Sequence, residues 1–138
     1  MCLRFYTRTT DYNPAIKTAK KDMTVYKIVE LRPDNTYRSQ YILYKYSLGV
    51  HYNAGVDWPD GCVYTGLSNP DDGEYTQYIY GGYHSYDNLT YTKIRLEESW
   101  DDNIQTYIVQ CRIPKGAKYI VGMNHDIVSS EIIIDKQL

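Results

Sequence analysis

Seventeen tyrosines stand against a single phenylalanine, Phe5, in a chain of 138 residues. The codons of the two residues are similarly AT-rich, so base composition does not account for the ratio, and a phenol is favoured over a plain ring. Without its tyrosines the chain is only roughly 30% apolar, so any sizeable core must include phenolic rings. A tyrosine brings a large flat area at low rotamer cost and a hydroxyl that must find a partner. That combination suits half-buried sheet faces, subunit interfaces and platforms that stack nucleobases. Length and composition allow a single domain spanning residues 1–138.

Several classes are excluded early. The longest purely aliphatic run, residues 132–134, is far short of the roughly 20 apolar residues of a membrane-spanning helix. The opening Met1-Cys2-Leu3-Arg4-Phe5-Tyr6 places a charge inside its only apolar stretch, which argues against a signal peptide and for the cytoplasm of a host cell. Cys2, Cys62 and Cys111 are widely spaced, with no Cys-x-x-Cys pair and no neighbouring histidine for a zinc site, so they read as reduced thiols. Fifteen basic and seventeen acidic residues leave a net charge of -2, which does not favour general nucleic-acid binding.

The punctuation of the chain sets its organisation. Asn13-Pro14 ahead of residues 15–21 fits a short capped helix. Residues 23–31 carry Val25, Ile28 and Val29 and end at Pro33-Asp34-Asn35, the pattern of a strand stopped by a turn. Residues 36–46 resume as a second strand. The middle is broken by Gly49, Gly55, Trp58-Pro59-Asp60-Gly61, Gly66 and Asn69-Pro70-Asp71-Asp72-Gly73, so loops dominate, with short strands at 62–65 and 74–80. Asp87 can cap a helix over about residues 88–100. Strands at 106–113, 117–121 and 127–135, separated by Pro114-Lys115-Gly116 and the turn at 122–126, predict an antiparallel meander. The expected fold is α+β: a mainly antiparallel sheet with one or two short helices.

Candidate sites follow from chemistry. Asp57, Asp60, Asp71, Asp72 and Glu74 lack the spacing of a calcium loop and read as solvated turns, so no metal or cofactor is expected. Asn88-Leu89-Thr90 matches a glycosylation acceptor that an intracellular chain would not use. Of His51, His84 and His125, His84 draws interest because it follows Gly81-Gly82-Tyr83 and precedes Ser85, where a strand should end. Tyr75, Tyr78, Tyr80, Tyr83 and Tyr86 lie within twelve residues of one another, and at least some should share a surface.

Two resemblances add to these readings. Gly82-Tyr83-His84-Ser85-Tyr86 and residues 111–119, Cys-Arg-Ile-Pro-Lys-Gly-Ala-Lys-Tyr, together with Met1-Cys2-Leu3 and Val25-Tyr26-Lys27, resemble short uncharacterised accessory proteins of gut-bacterial phages and prophages. A more distant resemblance is to the mono-ADP-ribosyltransferase fold of bacterial exoenzymes. Val25-Tyr26-Lys27 is similar to its first strand, Tyr83-His84-Ser85 to its Ser-Thr-Ser strand, Ile113-Pro114-Lys115-Gly116 to its third, and residues 129–134 to its last. That resemblance implies a catalytic role for Glu131. It departs at Lys27, where the family has an arginine gripping a pyrophosphate, at Ser85, which lacks most of the serine-threonine motif, and at Ser129, too short to engage an acceptor.

Taken together, the sequence predicts a non-catalytic phage-type binder of a nucleotide-like small molecule, one that could sequester a host immune signal through Lys27, Tyr80, Tyr83, His84, Ser85 and Tyr86. ADP-ribosyl transfer or NAD hydrolysis through Glu131 is the enzymatic alternative. A virion component or self-assembling homo-oligomer whose tyrosines form subunit contacts is the structural one, and a host protein is the other candidate partner.

Overall fold

The computed structural model describes residues 3–7, 15–39, 44–60, 63–69, 74–79, 81–98, 105–122 and 124–138. Along the chain these form β1 (Leu3–Thr7), β2 (Lys17–Thr18), β3 (Met23–Leu31), β4 (Tyr37–Ser39), β5 (Lys45–Tyr46), β6 (His51–Asn53) and β7 (Val63–Asn69). There follow β8 (Glu74–Ile79), β9 (Tyr83–Tyr86), α1 (Leu89–Glu97), β10 (Thr106–Ile113), β11 (Lys118–Val121), β12 (Asp126–Ser129) and β13 (Glu131–Gln137). A small sheet runs β1-β8-β7, and a large one runs β2-β11-β12-β9-β3-β10-β13-β6, with β4 on β3 and β5 on β4. Every pairing is antiparallel. The mainly antiparallel α+β expectation holds, with one helix among the described residues.

The large sheet cannot be flat. Between β12 and β13 lie β9, β3 and β10, a separation of about 19 Å in a flat sheet at ordinary strand spacing. Yet only Ser130 joins Ser129 to Glu131, and two residues of chain reach no more than about 7 Å. The sheet therefore rolls into a small barrel, closed by the continuous stretch 126–137, which pairs with β9 in its first half and with β10 in its second. Ser130 fastens the corner: its N–H donates to the Lys118 carbonyl at 2.9 Å, its own carbonyl accepts from Ala54 N–H at 2.8 Å, and its Oγ accepts from Lys118 N–H at 3.0 Å. Inside sit Val25, Val29, Tyr83, Val109, Cys111, Ile113, Ile127, Ile132 and Ile134 among others. A second, smaller cluster of Trp58, Ile79, Ile120 and Val128 includes the neighbour of Ile127 on β12, which strand alternation turns to the opposite face.

Three expectations are corrected. Residues 15–21 form no helix: Lys17–Thr18 pairs with β11, and Ala19, buried, exchanges hydrogen bonds with Ala117 and Gly116 at 2.9 and 2.8 Å. A helix of two turns is marginal in water, and sheet pairing with a buried alanine outweighs it. The strand expected over 36–46 is two short strands, β4 and β5, paired with each other. Residues 106–135 are not a simple meander, because β10 pairs with β3 and β13 while β11 and β12 form the one hairpin among them. Rolling places β3 beside β10, and the strand expected over 127–135 breaks at Ser130 to serve both sides of the closure.

The helix is close to its expected place, but Asn88 rather than Asp87 caps it: Asn88 Oδ1 accepts from Tyr91 N–H at 2.8 Å, satisfying one of the free amides of the first turn. The Asp87 carboxylate instead lies 2.9 Å from His125 Nδ1.

Gly82 has φ +78°, and a Cβ there would lie 2.6 Å from Trp58 Nε1 and 2.7 Å from the Ser129 carbonyl oxygen. Gly82→Ala is expected to lower stability by at least about 2 kcal/mol, combining left-handed backbone strain with overpacking. Gly55→Ala, at φ +103° with nothing within 4 Å of the new Cβ, should cost only about 1 kcal/mol. Urea denaturation of the two variants checks the difference.

Candidate functional site: a tyrosine-lined cleft over a buried lysine

On β3 the interior face carries Val25, Lys27 and Val29, all buried. Alternation thus aims an ammonium into the barrel, where Val109 stands opposite Lys27, and Cys111 opposite Val25, on β10. The Lys27 ammonium donates to the His84 carbonyl oxygen and lies 5.0 Å from the centroid of the Tyr46 ring. Among the described residues no carboxylate pairs with it. Burial pushes the Lys27 pKa down from 10.5 to about 8, and the nearby Cys111 sulfur opposes that shift. The same burial pushes the Cys111 thiol up to about 12.

Rolling brings β5, β6 and β9 together although they lie apart in the order of the sheet. Tyr46 and Tyr52 are 5.2 Å apart, Tyr44 and Tyr46 5.0 Å, Tyr44 and Tyr83 6.0 Å, and Tyr52 and Tyr83 6.2 Å between ring centroids. The Tyr46–Tyr52 and Tyr44–Tyr83 pairs are edge-to-face, the geometry that sets a positive ring edge against a negative face. Tyr52 Oη accepts the Ser47 N–H at 2.7 Å. Burial holds the Tyr46 and Tyr83 phenols protonated well above the ordinary tyrosine range.

Tyr44, Tyr46, Asn53, Ala54, Gly82 and Tyr83 line a cleft of about 360 Å³. Asn53 also borders a second depression of about 230 Å³, shared with Gly55, Val56, Gly116, Lys118, Ser130 and Glu131. The first is aromatic and the second polar.

Of the residues singled out in the sequence, Tyr83 lines the aromatic cleft and Glu131 the polar depression, its carboxylate 2.9 Å from His51 Nε2. Lys27 does not line the cleft; it lies behind Tyr46. His84 supplies its backbone carbonyl to Lys27, while its ring faces away from Tyr83. Burial, and then the Lys27 charge, lower the His84 pKa to about 3, so the imidazole is neutral near pH 7. The His84 Nε2 and the Oγ of buried Ser85 have no hydrogen-bond partner among the described residues. Tyr86 packs on Tyr91 of α1 at 5.5 Å, away from the cleft, and Tyr80 lies outside the described residues. The sequence reading missed Tyr44, Tyr46, Tyr52 and Asn53. The two-residue spacing of Tyr44 and Tyr46 placed them on one face, but nothing local linked them to Tyr83.

Among the described residues no cluster of three or more histidine, cysteine or acidic side chains is placed to hold a metal, and no helix is long and apolar enough to cross a membrane. No family model, curated protein or solved structure matches this chain.

The shifted groups predict a pH profile. Between about pH 8 and 10.5 the unfolded chain binds a proton at Lys27 that the folded chain does not, so stability rises with pH. Cys111 acts oppositely from pH 9 to about 12, and Tyr46 and Tyr83 join it above their ordinary value of 10, since there the unfolded chain gives up protons first. Stability measured by urea denaturation should climb by about 1 kcal/mol from pH 7.5 to 9 and fall beyond pH 10. In Lys27→Met the climb should disappear while the fall remains.

Proposed function

We propose that this chain is a non-catalytic binding protein that holds the planar ring of a nucleotide-like ligand in the tyrosine-lined cleft, and that it acts by sequestering that ligand. The observation that carries this reading is the convergence of Tyr44 and Tyr46 from one segment with Tyr83 from another, far apart in sequence, on one cleft of about 360 Å³. That volume is within the roughly 300–1,000 Å³ range of small-molecule sites and suits one ring system with its sugar. Each stacked base gains about 1–3 kcal/mol on an aromatic platform, whatever its hydrogen-bonding edge. The rings are braced by one another before any ligand arrives, which keeps the ordering cost of binding low.

The lining favours holding over chemistry. Two of its phenols are kept protonated by burial, and the remaining described residues that line the cleft, Tyr44, Asn53, Ala54 and Gly82, offer a ring, an amide and small groups rather than a general base. The polar depression beyond Asn53 would receive the ligand's sugar or phosphate, with Lys118, Ser130 and Glu131 within its wall.

Calorimetric titration of the purified chain with adenosine, AMP, ADP-ribose and NAD tests this. At least one should bind with a Kd of about 1–100 μM. Tyr44, at 41% exposure, is the most open of the three rings, and Tyr44→Ala should weaken that binding about tenfold in a chain that urea denaturation shows to be folded. The absence of heat with all four ligands overturns the proposal.

A further inference from the structure

The charge behind the cleft is the feature that says most about what enters it. Tyr46 is shared: it is one of the residues lining the cleft, and the Lys27 ammonium stands 5.0 Å from its ring centroid. The ammonium is buried on β3, is held by a backbone carbonyl of β9, and has no carboxylate partner among the described residues. A charge neutralised by a neighbouring carboxylate would project little field. One whose described surroundings are the Tyr46 ring, the Cys111 thiol, the flanking valines and the His84 carbonyl dipole projects its field through a medium of low dielectric constant. A cation against the Tyr46 ring also withdraws the electron density that would otherwise attract a second cation.

On the reading that the cleft is a ring-binding site, we infer that Lys27 sets its specificity, so that the site accepts electron-rich or anionic planar rings and rejects cationic ones. Purine nucleotides and neutral dihydropyridine rings belong to the accepted class, and pyridinium rings to the rejected one. Lys27 does this from behind the wall without touching the ligand, and its position is fixed by strand alternation between Val25 and Val29. The groups that face it are Tyr46 on β5, the His84 carbonyl on β9 and Cys111 on β10. The His84 imidazole, which also feels the charge, has its pKa lowered to about 3, and the Cys111 thiol has its raised to about 12. Of these, only Lys27 changes charge between pH 7 and 9.

Oxidised and reduced nicotinamide mononucleotide provide a matched pair, since the ring of the first is cationic and that of the second neutral on the same sugar phosphate. In calorimetric titrations of the full chain at pH 7, the reduced form should bind about tenfold tighter than the oxidised form. In Lys27→Met, whose side chain has similar length and no charge, the ratio should fall to about one. The unmodified chain gives an independent arm: AMP affinity should drop about threefold or more from pH 7 to pH 9 as Lys27 loses its proton. Equal affinity for the two redox forms together with a flat AMP profile overturns the inference while leaving ring binding intact. Failure of AMP and both mononucleotides to bind overturns the inference, and the further absence of heat with adenosine, ADP-ribose and NAD overturns the binding reading with it.

Discussion

An ammonium taken out of water without a counter-charge costs several kcal/mol even after relaxation, unless dipoles and polarisable groups converge on it. Lys27 meets this condition with a carbonyl from β9 and a ring from β5. Neither strand is adjacent to it in sequence: β9 pairs directly with β3 and β5 reaches it through β4, while the curl brings Tyr52 of β6 against Tyr46 and Tyr83. The charge, the curl and the tyrosine cluster are therefore one arrangement. Flattening the sheet would carry Tyr52 on β6, beyond β10 and β13 in the strand order, away from Tyr46 and Tyr83.

The curl has its own cause in covalent geometry. β12 and β13 belong on opposite sides of the β9-β3-β10 block, and one residue, Ser130, spans them. The isoleucines and valines at positions 127, 128, 132 and 134 are almost fully buried, so this closing stretch is stiff and apolar on both sides of the corner. On the outer surface Arg112 joins Asp135 at 2.9 Å and Asp22 at 3.3 Å, linking β10 to β13 and to the approach of β3 across the same closure. Tyrosine serves both to fill and to satisfy: Tyr37, Tyr46 and Tyr83 are buried in the core, and the Tyr37 hydroxyl donates to Gln137 Oε1 at 2.7 Å.

Much of the fold was legible in the sequence, and the illegible parts have physical reasons. Residues 23–31 and 106–113 were read with their observed boundaries, because β-branched residues and turn chemistry at both ends act locally. The mainly antiparallel β character followed in the same way, whereas the short strands β1, β2 and β6 carry too little local pattern to be read. Closure was not legible: Ser129-Ser130-Glu131 between two apolar runs reads as continuous strand, and nothing local reports that its two halves bond to different partners. The burial of Lys27 was not drawn from the sequence, where the resemblance alone singled that residue out. Alternation in Val25-Tyr26-Lys27-Ile28-Val29 already placed Lys27 with the valines, yet a lysine is expected to reach solvent. The tyrosine excess pointed to the right residue type, while the cleft drew on Tyr44 and Tyr46, near the start of the chain, as well as Tyr83 beside the double glycine.

The account rests on Lys27 being a buried charge whose proton is weakened by its surroundings and whose field reaches the cleft. The most direct measurement is the titration of the Lys27 side chain itself, followed by the chemical shift of its ε-carbon in selectively labelled protein between pH 6 and 11.5. The account predicts a midpoint near 8, well separated from the exposed lysines. A midpoint at the ordinary lysine value of 10.5, merged with the rest, would contradict it.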